Sequence, residues 1–159
     1  MEKLILFKPS DQKKIVDTRV GKSKFGEHVK LLTNSSNIYE QLVELDVDYV
    51  IFGIPEDIGV FANQGNVGAS TAYDGVIKVL LNTQNNAFNN GEKVAVLGYL
   101  DFSNEQKQVL GLDQTKDNDL KKARKLVETI DKNVTKLVYD IVKAGKTPII
   151  IGGGHNNAY

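Results

Sequence analysis

The apolar residues of this chain fall into three continuous runs, separated by stretches with helical spacing. The first run is Tyr49-Val50-Ile51-Phe52-Gly53-Ile54, entered from Asp48 and stopped by Pro55. The second is Val94-Ala95-Val96-Leu97-Gly98-Tyr99-Leu100, and the third is Pro148-Ile149-Ile150-Ile151. Continuous rather than alternating apolarity predicts strands buried on both faces, as in a parallel sheet. Elsewhere the period lengthens. Ile38, Leu42 and Leu45 stand at i, i+4 and i+7 behind the candidate caps Ser36 and Asn37, with Glu40 three residues after Asn37, so a short helix is predicted there. A second helix is predicted from about Ser70 to Asn82, with Ala72, Val76, Val79 and Leu80 turned inward. The clearest helix runs from about Asp119 to Ala144. Leu120, Ala123, Val127, Ile130, Val134, Leu137, Val138 and Ile141 mark its inner face, and Gly145 stops it. Residues 1–35, 82–91 and 101–118 read as loops and short pieces.

Strand, helix, strand, helix, strand predicts an α/β fold of three layers, α/β/α, around a parallel sheet. One domain is expected, with residues 48–159 as a β-α-β-α-β core and residues 1–47 as an N-terminal extension. The third strand is too apolar for an open edge, and Tyr159 follows too soon for another helical layer. The expectation is a sheet truncated after its third strand, with part of its surface bare. Tyr49 and Tyr99, inside strands, are expected in the core, and Asp101 as a solvated loop carboxylate.

Charge narrows the function classes. Lys plus Arg equals Asp plus Glu, at 20 each, so no net field favours nucleic acid or an anionic membrane. The cluster Lys121, Lys122, Arg124 and Lys125 lies on the outer side of the long helix without interleaved aromatics, and reads as a solvated face. There is no cysteine, which excludes disulfides, zinc-thiolate sites and thiol catalysis. The run Leu4 to Phe7 is too short for a signal peptide, and no stretch approaches the ~20 apolar residues of a membrane span. A cytoplasmic location is expected. His28, between Glu27 and Val29, has no second ligand at useful spacing and reads as a surface residue.

Chemistry concentrates in Gly152-Gly153-Gly154-His155-Asn156-Asn157-Ala158-Tyr159. Glycines at a strand end permit a sharp turn and close backbone approach, at the end of an α/β sheet where ligands bind. Three readings stand. The turn is structural, or it cradles a phosphate through backbone N–H groups, or it presents His155 to a metal. The phosphate reading lacks both the Lys-Ser/Thr of a P-loop and the G-x-G-x-x-G spacing. Asn156 and Asn157 either line a site or begin the following helix, and Asn suits an N-cap.

Pro148 to Tyr159 resembles the first metal motif of the ureohydrolase family, which comprises arginases, agmatinases and formimidoylglutamases. The triple glycine is most similar to the formimidoylglutamase form. Gly53-Ile54-Pro55-Glu56-Asp57-Ile58-Gly59-Val60, followed by Gly65, Gly68 and Ala69, resembles that family's loop after its first strand. The resemblance covers roughly residues 48–159. The chain departs from it at Asn66, where the family often has Arg, and at Ala72-Tyr73-Asp74, where it often has Gly-Pro.

The resemblance implies an arginase/deacetylase-like sheet whose first strand lies between the second and third, with a crevice at that switch point. It implies two Mn2+ ions sharing a hydroxide that attacks a guanidinium or formimino carbon. His155 would ligate one ion, Gly152, Gly153 and Gly154 would form the active-site turn, and Pro55, Glu56, Asp57 and Gly59 the rim loop. Glu56 and Asp57 are expected as packing residues of that loop. The family's Asp-Ala-His-x-Asp and Ser-x-Asp-x-Asp motifs do not occur here. The expectation is therefore a manganese-dependent hydrolase of a small-molecule amidine in the full-length protein, with this chain alone inactive and binding manganese weakly. A homo-oligomer is compatible with it. Two rival readings are a non-catalytic α/β interaction module using a bare sheet edge, and a nucleotide-binding α/β domain using Gly152–Gly154.

Overall fold

The computed structural model describes residues 2–158; Tyr159 of the C-terminal motif lies outside the described residues. The elements run β1 (Leu4–Leu6), α1 (Pro9–Ile15), α2 (Ile38–Glu44), β2 (Tyr49–Gly53), α3 (Ile58–Ala62), α4 (Ala72–Leu81), β3 (Val94–Leu100), α5 (Ser103–Val109), α6 (Asp117–Lys143) and β4 (Thr147–Ile151). They build one sheet in the order β1-β3-β2-β4. β2 pairs in parallel with both β3 and β4, so the three apolar runs form the parallel core that their patterning predicts, with the first strand central.

Neighbouring side chains on these strands bury into different layers. Val50 and Phe52 join Ala95, Leu97, Leu42, Ile130, Val134, Leu137 and Ile141 in a core beneath α2 and α6. Ile51, Val94 and Val96 join Tyr73, Ile77, Leu81 and Phe25 on the other face, beneath α4 and the N-terminal segment. A buried Leu or Ile contributes about 1.5–3 kcal/mol over its exposed form, and α6 buries Leu120, Ile130, Leu137 and Ile141 along one stripe. The sandwich of sheet between helices is thus three-layered.

Five expectations need correction. The sheet is not wholly parallel. β1 pairs antiparallel with β3, Leu4 opposite Leu100 and Leu6 opposite Gly98, and a three-residue strand is too short to register as a pattern. The pairing of β2 with β3 slips between Ile51 and Phe52. Gly98, at φ +116°, sits at this irregularity, where any Cβ would strike the Ile5 carbonyl. Second, α4 is rotated from the predicted face. Tyr73, Ile77 and Leu81 are buried, while Val76 is 44% and Val79 69% exposed. Two apolar stripes overlap on this helix. The choice is made by Gly53, over which the Tyr73 ring lies so closely that a side chain there would collide with it. Burial raises the pKa of the Tyr73 phenol.

Third, α2 is not capped by Asn37, which adopts a left-handed conformation without a side-chain cap. The Gln41 amide instead donates to the Ser36 carbonyl at 2.8 Å and accepts from the Thr33 amide at 3.0 Å. Fourth, residues 101–118 contain α5, begun by Asp101 accepting from the Ser103 amide at 2.9 Å. α5 buries no residue, so it carries no apolar stripe to read. Fifth, Tyr49 is 45% exposed at the start of β2 rather than in the core. β4 stands at the sheet edge, half-buried, with Ile149 40% exposed.

Candidate functional site

The strand order creates the site. The chain leaves β2, passes through α4 to β3 on one side, then returns through α6 to β4 on the other side of β2. The winding reverses between β2 and β4, and a crevice opens at their C-terminal ends. The Ile54 amide still donates to the Ile151 carbonyl at 2.9 Å, so the two strands remain paired up to the points where their loops depart. The rim loop that starts at Pro55 and the turn Gly152–Gly154 therefore lie against each other.

Each glycine of this contact has a steric reason. Gly152 and Gly153 adopt φ of +86° and +83°, a region that costs other residues about 1–2 kcal/mol. A Cβ on Gly153 would collide with the Asn157 amide and come within 2.9 Å of the Glu56 carboxylate and 3.1 Å of the Ile54 carbonyl. Gly154 and Gly59 meet backbone to backbone, since a Cβ on Gly154 would stand 2.9 Å from the Gly59 Cα. The turn is thus fitted to the rim loop at three successive residues.

The two rim carboxylates are occupied. Glu56 is 0% exposed. Its Oε1 accepts from the Gly154 amide at 2.6 Å and from Asn157 Nδ2 at 3.0 Å, and its Oε2 accepts from the Gly59 amide at 2.8 Å. Asp57 accepts from the Gly68 amide at 2.7 Å, the Ser70 amide at 3.2 Å and the Ser70 hydroxyl. Burial opposes the charge of Asp57, but the Ser70 hydroxyl and the Gly68, Ser70 and Ala69 amides outweigh it and hold the carboxyl below its ordinary range. Both carboxylates are thus engaged by donors of the loop and its neighbouring turn.

His155 opens a short 3-10 turn, His155–Ala158. It is exposed, and its ring has no hydrogen bond or ion pair among the described residues. It lines a cavity of about 520 Å3 with Gly59, Val60, Arg124, Val127 and Asn156. The wall carries an imidazole and a guanidinium but no carboxylate. His155 therefore faces the mouth shared with the rim loop, where an imidazole can bind a metal or carry a proton. Pro55, Glu56, Asp57 and the three glycines Gly152, Gly153 and Gly154 do not line the cavity.

Arg124 and Asp131 have roles that the sequence reading missed, and Asn156 and Asn157 have side-chain partners that it did not foresee. Arg124 lies on the exposed side of α6, as predicted, but at the cavity wall. Asn156 and Asn157 lie in the 3-10 turn His155–Ala158. Asn156 donates to Asp131 at 2.8 Å and Asn157 donates to Glu56. Arg124 and Asp131 are seven residues apart, two helical turns, which was a legible clue that they share a face. His28 lies elsewhere, 2.6 Å from the Ser23 hydroxyl and 3.7 Å from Glu92.

The rival readings meet specific obstacles here. The Gly154 N–H that a phosphate would require is held by Glu56. The described residues also do not fit a two-manganese centre by themselves. The cavity offers one imidazole, the adjacent carboxylates are taken up by N–H and O–H donors, and among the described residues no group of three or more His, Cys, Asp or Glu could hold a metal.

A three-layer sandwich with a glycine turn and histidine at its switch point is an architecture of α/β enzymes. The family model described as the Arginase family matches residues 47–159, and the chain belongs to that family. Membership assigns it to the ureohydrolase type of hydrolase. No curated protein and no solved structure matches it. Among the described residues, no helix is long and apolar enough to cross a membrane.

Proposed function

We propose that this chain forms one wall of the active site of a ureohydrolase that cleaves a C–N bond in a small amidine, a guanidino or formimino compound. His155 is the residue through which it enters the chemistry, as a ligand to manganese. The observation that carries this reading is that His155, in the turn that follows β4, shares one cavity with Gly59 and Val60 of the rim loop. The form Gly152-Gly153-Gly154-His155 favours a formimidoylglutamase-like substrate, and the cytoplasm is the expected location.

Manganese centres are built from imidazole and carboxylate ligands, and a site with one imidazole lacks most of them. The remaining ligands therefore come from polypeptide other than these 159 residues. The 159-residue chain alone neither holds two ions nor turns over substrate. Calorimetric titration of the chain and of His155→Ala with Mn2+ tests this. The expected result is weak heat in the first and none in the second. Stoichiometric binding of two ions by the chain would refute it. An assay for ammonia, urea or formamide release from guanidino and formimino substrates should show no turnover by this chain with manganese. A longer polypeptide supplying the carboxylates should turn over, and lose that activity with His155→Ala.

A further inference from the structure

We propose that Glu56 is a positioning residue, whose carboxylate serves as an internal anion in the glycine cradle and fixes where His155 stands. Its three donors come from three different segments: the turn after β4 (Gly154), the first turn of α3 (Gly59) and the 3-10 segment that begins with His155 (Asn157). No ion pair neutralises it among the described residues. A buried carboxylate without a cation is costly unless N–H groups replace its water, and here each oxygen is supplied. Hydrogen bonds to a carboxylate are about twice as strong as neutral ones. They also carry geometry, because an apolar residue in this place would pack without fixing the two loops in register.

The clamp continues into α6. The Asn156 amide donates to Asp131 at 2.8 Å and lies 3.3 Å from the Asn157 oxygen. The second Asn157 contact is the one to Glu56. A chain of side chains therefore runs from α6, through the two residues after His155, to the rim loop. His155 is bracketed by Gly154 and by Asn156-Asn157, all of which belong to this chain of contacts. The Asn156 oxygen is left buried and without a partner, wedged where Gly59 and Gly154 meet. That is the cost of orienting its amide toward Asp131. Glu56, the carboxylate bonded directly to the turn, thus holds the imidazole in place and does not ligate a metal itself.

The meaning of a fixed His155 rests on the function proposed above, but the clamp is measurable without metal or substrate. In 15N,13C-labelled protein, scalar couplings across the hydrogen bonds should link the Gly154 and Gly59 amides to the Glu56 side-chain carboxyl carbon. Their absence from the folded wild-type chain would overturn the proposal without any variant. Glu56→Gln keeps one oxygen and places an NH2 where the other stood. One of the two amides, Gly59 or Gly154, should then exchange about 10–100-fold faster than in wild type, against the core amide of Phe52, while the other stays protected. Glu56→Ala should release both, and should remove the nuclear Overhauser contacts by which the His155 ring is fixed in the wild-type chain. If those contacts survive with both amides released, Glu56 only packs the loop and the positioning role fails. A chain that passes these measurements yet contributes to no hydrolysis keeps the clamp and loses the proposed function. One that fails them while His155→Ala still abolishes turnover in the longer polypeptide does the reverse.

Discussion

Replacing Gly153 by alanine separates the two demands this turn makes on the chain. Gly153 has φ +83°, and Gly145, after α6, has φ +76°. Alanine at either position bears the left-handed cost of about 1–2 kcal/mol. The surroundings differ. Nothing lies within 4 Å of a Cβ on Gly145, whereas one on Gly153 meets the Asn157 amide, Glu56 at 2.9 Å and the Ile54 carbonyl at 3.1 Å. Two of the three obstacles are backbone or a buried carboxylate with fixed partners, so they cannot swing aside. Overpacking of this kind adds about 1–3 kcal/mol. Gly153→Ala should therefore unfold more readily than Gly145→Ala by about 1–3 kcal/mol. At roughly 2–4 °C per kcal/mol for a chain of this size, that is a gap of about 2–12 °C in Tm. Urea unfolding and differential scanning calorimetry on the pair measure it. Equal losses in the two variants would mean that the turn is not tightly fitted to the rim loop, and the steric account of the site would be wrong.

The rotation of α4 makes a second contrast: Ile77→Ala, at a buried position, should cost about 2–5 kcal/mol, while Val79→Ala, on the exposed face, should stay within about 0.5 kcal/mol, both read by chemical denaturation. Asp57 should make the rim loop acid-sensitive. Its folded pKa is depressed below 3.8, so its contribution is complete above that value and fades as pH falls toward the lower folded pKa. Asp57→Asn should lower stability by about 1 kcal/mol at neutral pH and lose that deficit on acidification, and an identical deficit at every pH would contradict the assignment. Ser70→Ala, which removes the hydroxyl donor to Asp57, should raise the Asp57 pKa, as followed by carboxyl-carbon NMR titration.

Much of the architecture was legible because it is written in local period. Three continuous apolar runs are the signature of strands in a parallel sheet, and the stripe from Leu120 to Ile141 is that of a long helix on a core. The candidate site was legible to the extent that a glycine turn and a histidine sit at a strand end. Its wiring was not, because Glu56 meets Gly154 and Asn157 from 98 and 101 residues away, and no periodicity reports a partner at that distance. The same holds for Arg124, which local pattern places on a solvated helix face and the fold places at the cavity wall.

The sequence by itself determined the layer class, the three parallel strands, the long helix and the turn that carries His155, since these follow from side-chain polarity and backbone freedom over a few residues. The tertiary structure alone decided the antiparallel β1, the face that α4 buries, the internal anion made of Glu56 and the place of the imidazole at the cavity mouth. Each of these depends on which distant backbone or ring fills a given space: the Ile5 carbonyl against Gly98, the Tyr73 ring against Gly53, the Gly59 backbone against Gly154. Close packing settles such choices only when the whole chain is in place.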